Sequence, residues 1–210
     1  LWNILRGAGY NVDFVGSLTQ NHQGGPPDKD FDLDHEGHWG WRADEILALL
    51  PGWLNGYTPD IVLIHLGTND IFQGNDVTST IEEIRQIIAV LRAANPNVVI
   101  YVAQIIPHNR SDRPAIEPLN AAIPDLANES TQYSPVIIVD QYTGFDPSGD
   151  TFDNVHPDES GEQKMAQNWF DAMQPVLDGD VAPEPFPTAT PTSTPTETFT
   201  PTATYTPTIT

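Results

Sequence analysis

The sequence predicts an α/β fold built around a parallel β-sheet. Short apolar runs alternate along the chain with longer segments whose apolar residues recur at helical spacing. One of the runs, residues 61–66 (IVLIHL), is continuous, as in strands that a parallel sheet buries on both faces. The intervening helices supply the crossovers that parallel pairing requires, so this alternation favours a single sheet with helices packed on it.

The expected elements follow one another in a regular order. They are a helix over residues 1–8, a strand over 12–15, a helix over 43–50, a strand over 61–66, a helix over 77–91, strands over 98–106 and 136–139, and a helix over 160–177. We expect Gly9 to end the first helix, and Pro51 with Gly52 to end the second.

The two long helices carry additional signals at their starts. Thr80 with Glu83, and Ser160 with Gln163, have the spacing of capping boxes. In parallel α/β sheets the reactive residues lie on loops beyond the carboxyl ends of the strands. A functional site is therefore expected on the loops that follow residues 15, 66 and 139.

Composition excludes several classes of function. The 210 residues include no cysteine, which excludes a disulfide framework, a thiolate zinc site and a cysteine nucleophile. Eight Lys and Arg against 29 Asp and Glu give a net charge of −21, which argues against binding to nucleic acid or to an anionic membrane surface. No apolar run approaches the roughly 18 residues of a membrane span, so membrane insertion is not expected.

The charge and the prolines divide the chain near residue 180. Only Glu184 and Glu197 are charged within residues 182–210, and every even-numbered position from Thr188 to Thr210 is threonine. Interspersed prolines oppose a β-ladder, so we predict a domain over residues 1–180 and a disordered Thr/Pro-rich linker over 181–210. Such linkers are typical of exported proteins. We therefore expect a secreted or cell-surface protein with a further domain after the linker; a simple disordered tail is the alternative.

A Gly-Thr-Asn-Asp segment follows the predicted strand at 61–66. Gly67 allows a sharp turn at the strand end, and Asn69 then projects a neutral amide donor into the crevice. A neutral donor stabilises a developing oxyanion without transferring a proton. An ordinary turn is the alternative interpretation.

An Asp-x-x-His segment precedes the last helix. Because the two residues are three positions apart on one turn, Asp153 can orient the ring of His156, whose other nitrogen then acts as a general base. The alternative is a surface histidine in a helix-initiating turn.

Residues 34–41 (DHEGHWGW) form a third candidate segment. Gly40 could present a backbone N–H near the start of a helix, and Trp39 and Trp41 could form a wall for a sugar ring. His35 and His38 with Asp34 form a conceivable metal set, but we expect no metal there.

Alternating carboxylates precede that segment. They are Asp28, Asp30, Asp32, Asp34 and Glu36. Oxygen ligands on one side of an extended segment suit Ca²⁺, but a solvated acidic loop that keeps the protein soluble is the preferred explanation. We expect no cofactor, and Ca²⁺ at this segment is the alternative.

Taken in order, these segments resemble the SGNH (GDSL-type) hydrolases. The similarity rests on residues 13–17 (DFVGS), 34–41 (DHEGHWGW), 65–70 (HLGTND) and 153–157 (DNVHP), which look most like the acetyl xylan esterases of carbohydrate esterase family 3. The resemblance implies that Gly40 and Asn69 are oxyanion donors, that His156 is the base and that Asp153 orients it. It also implies a three-layer sandwich with a flavodoxin-like parallel sheet of strand order 2-1-3-4-5.

The family's nucleophile block is the one part with no counterpart. That Gly-Asp-Ser block follows the first strand, and none of the 210 residues matches it. Ser17 is the only local substitute, but it leads into a loop. Because the chain begins at Leu1 within a helical pattern, we expect that residues carrying the first strand and the nucleophile precede it, that the first strand is absent from these residues, and that the chain alone is inactive and poorly folded.

The resemblance predicts an extracellular serine esterase that removes acetyl groups from a polysaccharide such as xylan. Its partner would be an acylated carbohydrate. Two alternatives remain: a non-catalytic carbohydrate-binding or surface-display module on the same fold, and a general lipase or acyl hydrolase.

Overall fold

Three parallel strands form the sheet of the computed structural model, which describes residues 1–20 and 29–180. The strands are β1 (Ile61–Ile64), β2 (Val99–Ala103) and β3 (Val136–Val139), in the order β1-β2-β3. Val62 is paired with Ile100, and Ile100 with Val136. The predicted parallel α/β sheet is confirmed, with three consecutive strands side by side.

Helices cover both faces of this sheet. Their bounds are α1 (Trp2–Gly7), α2 (Ala43–Trp53), α3 (Thr68–Gln73), α4 (Val77–Ala94), α5 (Glu117–Ala122), a 3-10 helix (Ile123–Glu129) and α6 (Glu159–Leu177). Side chains of β2 alternate between two apolar clusters: Ile100 and Val102 pack with α2, α4 and α5, whereas Val99 and Tyr101 pack with α1 and α6. The molecule is therefore a three-layer α/β sandwich.

The prediction of a strand at residues 12–15 is wrong. This segment is extended but joins no ladder in the described residues. The Phe14 N–H donates to Asp32 Oδ2 at 2.8 Å, and Val12 and Phe14 pack against the cluster under α1 and α6. A carboxylate thus takes the place of a neighbouring strand, because a part-buried backbone donor requires some acceptor.

The central strands are shorter than their apolar runs. The strand predicted over 98–106 ends at Ala103, since the Ile105 N–H donates to Asn120 Oδ1 at 2.6 Å instead of to a neighbouring strand. The helix expected to stop at Pro51 continues to Trp53, because a proline in the last turn removes only one donor.

Both long helices are capped by an aspartate that precedes the predicted capping residues. Asp76 accepts from the Ser79 N–H at 3.0 Å. Asp158 accepts from the Ser160 N–H at 2.9 Å and the Gly161 N–H at 3.1 Å. The predicted capping boxes at Thr80 and Ser160 are therefore wrong, since aspartate side chains four and two positions earlier reach the free amides.

No helix in the described ranges is long and apolar enough to span a membrane. The linker predicted at 181–210 lies outside the described residues, as does Asp28.

Candidate active site

The Asp153–His156 pair lies on the turn that precedes α6. Asp153 Oδ1 accepts from the backbone N–H groups of Val155 and His156, at 3.1 and 2.7 Å. Its Oδ2 lies 2.7 Å from His156 Nδ1. The pairing predicted for Asp153 and His156 is therefore present, and it assigns the ring proton to Nδ1 and leaves Nε2 as the basic nitrogen.

The turn itself is closed by backbone pairing. Thr151 and Pro157 form an isolated antiparallel bridge, and the Phe152 N–H donates to the His156 carbonyl at 3.1 Å. Asn154 takes a left-handed conformation with φ +68°, which lets the chain reverse between Asp153 and His156. The imidazole is thus held by its own backbone as well as by Asp153.

Asp150 stabilises the base of this turn, a role that the sequence did not predict. Its carboxylate is almost fully buried and accepts from the Asp146 N–H at 2.7 Å and from Lys164 Nζ at 2.6 Å. Lys164 lies on α6, so this ion pair ties the last helix to the segment that carries the histidine turn.

The electrostatics suit a histidine base. Although partial burial opposes ionisation of Asp153, hydrogen bonds from the backbone and ring of His156 and from the Val155 N–H hold its pKa below the usual value. The His156 side chain is 52% exposed, and its Nε2 has no hydrogen-bond partner in the described part of the chain. An ionised aspartate therefore orients an imidazole whose free nitrogen faces solvent.

The second half of the site is the loop over residues 36–42, which we call the oxyanion loop. Asn69 and Gln73 lie one turn apart on α3 and hold this loop with their side-chain amides. Asn69 Nδ2 donates to the Trp41 carbonyl, and Gln73 Nε2 to the Gly40 carbonyl, both at 3.0 Å. The role of Gln73 was missed, although its spacing of four residues from Asn69 places both on one helix face.

Two donors are left open by this arrangement. Gly40 has φ +81°, and its N–H meets no acceptor among residues 1–20 and 29–180. Asn69 uses one amide hydrogen on Trp41 and keeps a second. The two predicted oxyanion residues are therefore brought to neighbouring positions with unpaired donors.

Gly67 permits α3 to start directly after β1. Its φ is +124°, and a Cβ there would lie 2.5 Å from Leu119 Cδ2. Only glycine fits this turn, which places Asn69 at the carboxyl edge of the sheet.

The loop after β2 links the two halves. The Ile106 N–H approaches His65 Nε2 at 3.4 Å, next to β1, and the Asn109 N–H donates to the Asn154 carbonyl at 3.0 Å, in the histidine turn. The carboxyl ends of all three strands therefore meet at one edge, which is where parallel sheets carry their sites.

His65 is a poor candidate for the base. Burial lowers its pKa to about 4, so the ring is neutral at physiological pH and accepts the Ile106 N–H. His156 lies at the same edge of the sheet, and its Nε2 has no hydrogen-bond partner in the described residues.

Ser17 makes its hydrogen bonds to Glu36 and not to the Asp153–His156 pair. Its Oγ donates to Glu36 Oε1 at 2.6 Å and its N–H to Glu36 Oε2 at 2.9 Å. The structure gives it no contact with His156, so Ser17 is not placed as the substitute nucleophile.

Exposed aromatic rings border the site. Trp39 is 70% exposed, as expected for a substrate-binding residue, whereas Trp41 is half-buried and packs 6.0 Å from Trp53. The sequence analysis missed Phe152, which is 71% exposed and stacks on the His156 ring at 5.8 Å with a 16° angle between planes.

The residues considered for metal binding make other contacts. His35 Nδ1 accepts the Gly37 N–H at 3.0 Å, and His38 Nε2 lies 2.6 Å from Glu36. Asp32 accepts two backbone N–H groups, and Asp30 forms an ion pair with Arg6 at 3.3 Å. Calcium binding by this acidic segment stays a prediction, since none of these contacts tests it.

Comparisons with known proteins agree with this geometry. Residues 7–164 match the GDSL-like Lipase/Acylhydrolase family. A "Multidomain esterase" from Ruminococcus flavefaciens is 28% identical in an alignment 206 residues long that covers 86% of this chain and 26% of that protein. The chain thus spans about a quarter of the length of that curated relative.

Two solved structures are more similar in sequence. A carbohydrate esterase of family 3 from Talaromyces cellulolyticus is 34% identical, with a TM-score of 0.78 over 85% of this chain and 89% of that one. A mutant acetyl esterase with bound acetate ion is 35% identical, with a TM-score of 0.77 over the same shares. With the described fold, these matches show that the chain belongs to the GDSL-like (SGNH) lipase/acylhydrolase family.

Proposed function

We propose that this protein is a secreted serine-type esterase that removes acetyl groups from a carbohydrate such as acetylated xylan. The observation that carries the proposal is the pairing of an Asp-oriented imidazole, open at Nε2, with two available donors, the Gly40 N–H and the second hydrogen of Asn69 Nδ2. A base and an oxyanion site are what acyl transfer requires.

The reaction would proceed in two balanced steps. A serine hydroxyl attacks the acetyl carbonyl while His156 Nε2 takes its proton; the tetrahedral oxyanion is held by Gly40 and Asn69. Collapse breaks the ester bond, and His156 returns the proton to the sugar oxygen that leaves. Water then attacks the acyl-enzyme with His156 again as the base; the acyl–serine bond breaks, His156 returns the proton to the serine oxygen, and acetate is released. Throughout, Asp153 stabilises the imidazolium.

The nucleophile itself is not assigned to a residue of this chain. Ser17 is engaged with Glu36, and no described hydroxyl contacts His156 Nε2. A serine supplied from outside residues 1–210 is consistent with the expected Gly-Asp-Ser block.

The surroundings favour a sugar over a lipid. Trp39 and Phe152 present exposed rings beside the site, and aromatic faces suit the apolar faces of sugar rings. Structural relatives that are named carbohydrate esterase and acetyl esterase support the same substrate class. A general acyl hydrolase is the second candidate, because the matching family also includes lipases.

Substrate preference tests the proposal. Acetylated xylo-oligosaccharide and p-nitrophenyl palmitate are offered to the protein, and released acetate and nitrophenol are measured. We expect acetate release and little cleavage of the long-chain ester. A preference for palmitate would favour the general acyl hydrolase, and binding of the oligosaccharide without acetate release would favour the non-catalytic module.

A further inference from the structure

Glu36 is the centre of a hydrogen-bond cluster at the start of the oxyanion loop. Its carboxylate accepts from the Ser17 hydroxyl at 2.6 Å and the Ser17 N–H at 2.9 Å, and from the Tyr57 hydroxyl. His38 Nε2 lies 2.6 Å from Oε1. The Glu36 side chain is only 21% exposed, so four donors surround a largely buried acceptor.

The charge of this group is well compensated. Burial opposes ionisation of Glu36, but hydrogen bonds from Ser17, Tyr57 and His38 together hold its pKa below the usual value. Burial, with the negative charge of Glu36 next to it, raises the pKa of Tyr57. The position of this carboxylate is restrained, because its donors belong to three residues, Ser17, His38 and Tyr57.

His38 connects the restrained Glu36 carboxylate to the rest of the oxyanion loop. Its side chain is 10% exposed and stacks on Trp53 of α2 at 4.3 Å, with 9° between the ring planes. Trp41 is a second neighbour, with its ring 4.6 Å from that of His38 and 6.0 Å from that of Trp53. Because Glu36 holds Nε2, the imidazole cannot rotate within this aromatic stack.

The cluster of His38, Trp41 and Trp53 in turn restrains the backbone conformation of Gly40. The Trp41 N–H approaches the His38 carbonyl at 3.4 Å, and the Trp41 carbonyl accepts from Asn69. Gly40 therefore lies between two restrained residues, His38 and Trp41. The contact between their backbones closes the turn in which Gly40 is left-handed. We expect a displacement of the backbone of His38 or Trp41 to change the direction of the Gly40 N–H.

We propose that Glu36 is a positioning residue, which acts through His38 and Trp41 to hold the Gly40 N–H in the direction that an oxyanion needs. The catalytic part of this proposal rests on the esterase function proposed above. Glu36 touches no reacting atom; its effect is on the geometry of the donor. Ser17, the predicted local substitute for a nucleophile, is one of the residues that hold Glu36 in place.

A spectroscopic experiment tests the positioning directly. The chain holds five tryptophans, so 5-fluorotryptophan labelling gives five ¹⁹F resonances that Trp→Phe variants assign. In E36A we expect the Trp41 and Trp53 resonances to move or broaden, because the His38 ring is released. The resonances of Trp2 and Trp169, on the opposite face, should keep their positions. Unchanged Trp41 and Trp53 signals would overturn the proposal.

Kinetics test its catalytic part. A loose donor weakens binding of the transition state more than that of the ester, so we expect E36A to lower kcat about 100-fold with KM changed less than about twofold. E36Q keeps a carbonyl acceptor and should lose only about tenfold. E129A is the matched control, since it breaks a 2.7 Å ion pair with Arg85 away from the loop. If E36A and E129A have equal kcat, the proposal is wrong.

The two proposals fail in different ways. If the unsubstituted protein, including the residues expected to supply the serine, cleaves no acetyl ester, the proposed function falls, and the ¹⁹F spectra still decide whether Glu36 fixes the loop. If E36A does not fold, E36Q carries both measurements: displaced Trp41 and Trp53 signals with a reduced kcat support the positioning role, and unaltered signals or kcat contradict it.

Discussion

Asn69 uses one side-chain amide for two purposes. One hydrogen is donated to the Trp41 carbonyl at 3.0 Å, and the other is open to the site. We expect Asn69→Ala to lower kcat for p-nitrophenyl acetate about 10²–10³-fold, as does the loss of an oxyanion donor in other enzymes. Asn128→Ala, at an exposed position of the 3-10 helix, is the control and should keep the full rate. A normal rate in the Asn69 variant would remove Asn69 from the oxyanion site.

Glu83 carries a charge that its surroundings oppose. Its Oε2 is buried without a hydrogen-bond partner in the described residues, and carboxylate oxygens of Asp44, Asp70 and Glu83 lie within 4.8 Å of one another. Burial first, and then the charges of Asp70 and Asp44, raise the pKa of Glu83. Stability is therefore highest while Glu83 is protonated and falls as the pH rises through its raised pKa.

Removing this charge should stabilise the protein at neutral pH. We expect Glu83→Gln to raise Tm at pH 7 by about 2–4 °C, the shift that roughly 1 kcal/mol produces in a domain of this size. Below the ordinary pKa of glutamate the gain should vanish, because both side chains are then neutral. Glu82→Gln, on the same helix but paired with Arg85 at 2.7 Å, is the control and should not raise Tm. A gain that persists in acid would show that charge is not its cause.

The central strand β2 carries an unsatisfied hydroxyl. Tyr101 is fully buried, its hydroxyl has no partner in the described part of the chain, and burial raises its pKa to about 12. We expect Tyr101→Phe to increase the free energy of unfolding by about 1 kcal/mol, since it removes a desolvated polar group and keeps the ring. Tyr10→Phe, which loses a hydrogen bond to Asp178, should give no increase in a urea titration. A destabilised Tyr101→Phe would reveal a partner for this hydroxyl.

Elements with strong local signals were predictable, and those that depend on distant partners were not. β3 occupies the four predicted residues, and Gly9, with φ +90°, follows α1 closely. The segment over 12–15 has the composition of a strand, but its Phe14 donor is taken by Asp32, 18 residues away. Sequence periodicity does not contain that contact, so it could not exclude the strand.

The site shows the same division. Asp153 and His156 are three residues apart, and a single turn joins them, so spacing alone predicted their contact. The supports of the site are distant in sequence: Gln73 reaches Gly40 across 33 residues. Such partners follow from packing, which the sequence pattern does not specify.

At the scale of the whole molecule, the charge of −21 should select among acylated carbohydrates. An acetylated oligosaccharide of galacturonate is repelled, whereas an acetylated xylo-oligosaccharide is neutral. We expect kcat/KM for the acidic substrate to rise about tenfold between about 0.01 M and about 1 M salt, as the Debye length shortens from about 30 to about 3 Å. The neutral substrate should show no such change and is the control. An equal salt response for the acidic and the neutral substrate would show that the protein's net charge does not determine its specificity.

The chain's catalytic centre is, in this account, the imidazole that Asp153 orients next to the Gly40 and Asn69 donors. The most direct test is the rate of p-nitrophenyl acetate hydrolysis by the full protein and by His156→Ala, with Gln167→Ala on the exposed side of α6 as control. Unaltered thermal unfolding would establish that the variants are folded. We expect His156→Ala to lose about 10⁴-fold or more in kcat and Gln167→Ala to lose nothing. Hydrolysis that survives in His156→Ala at the rate of the unsubstituted protein would contradict the account.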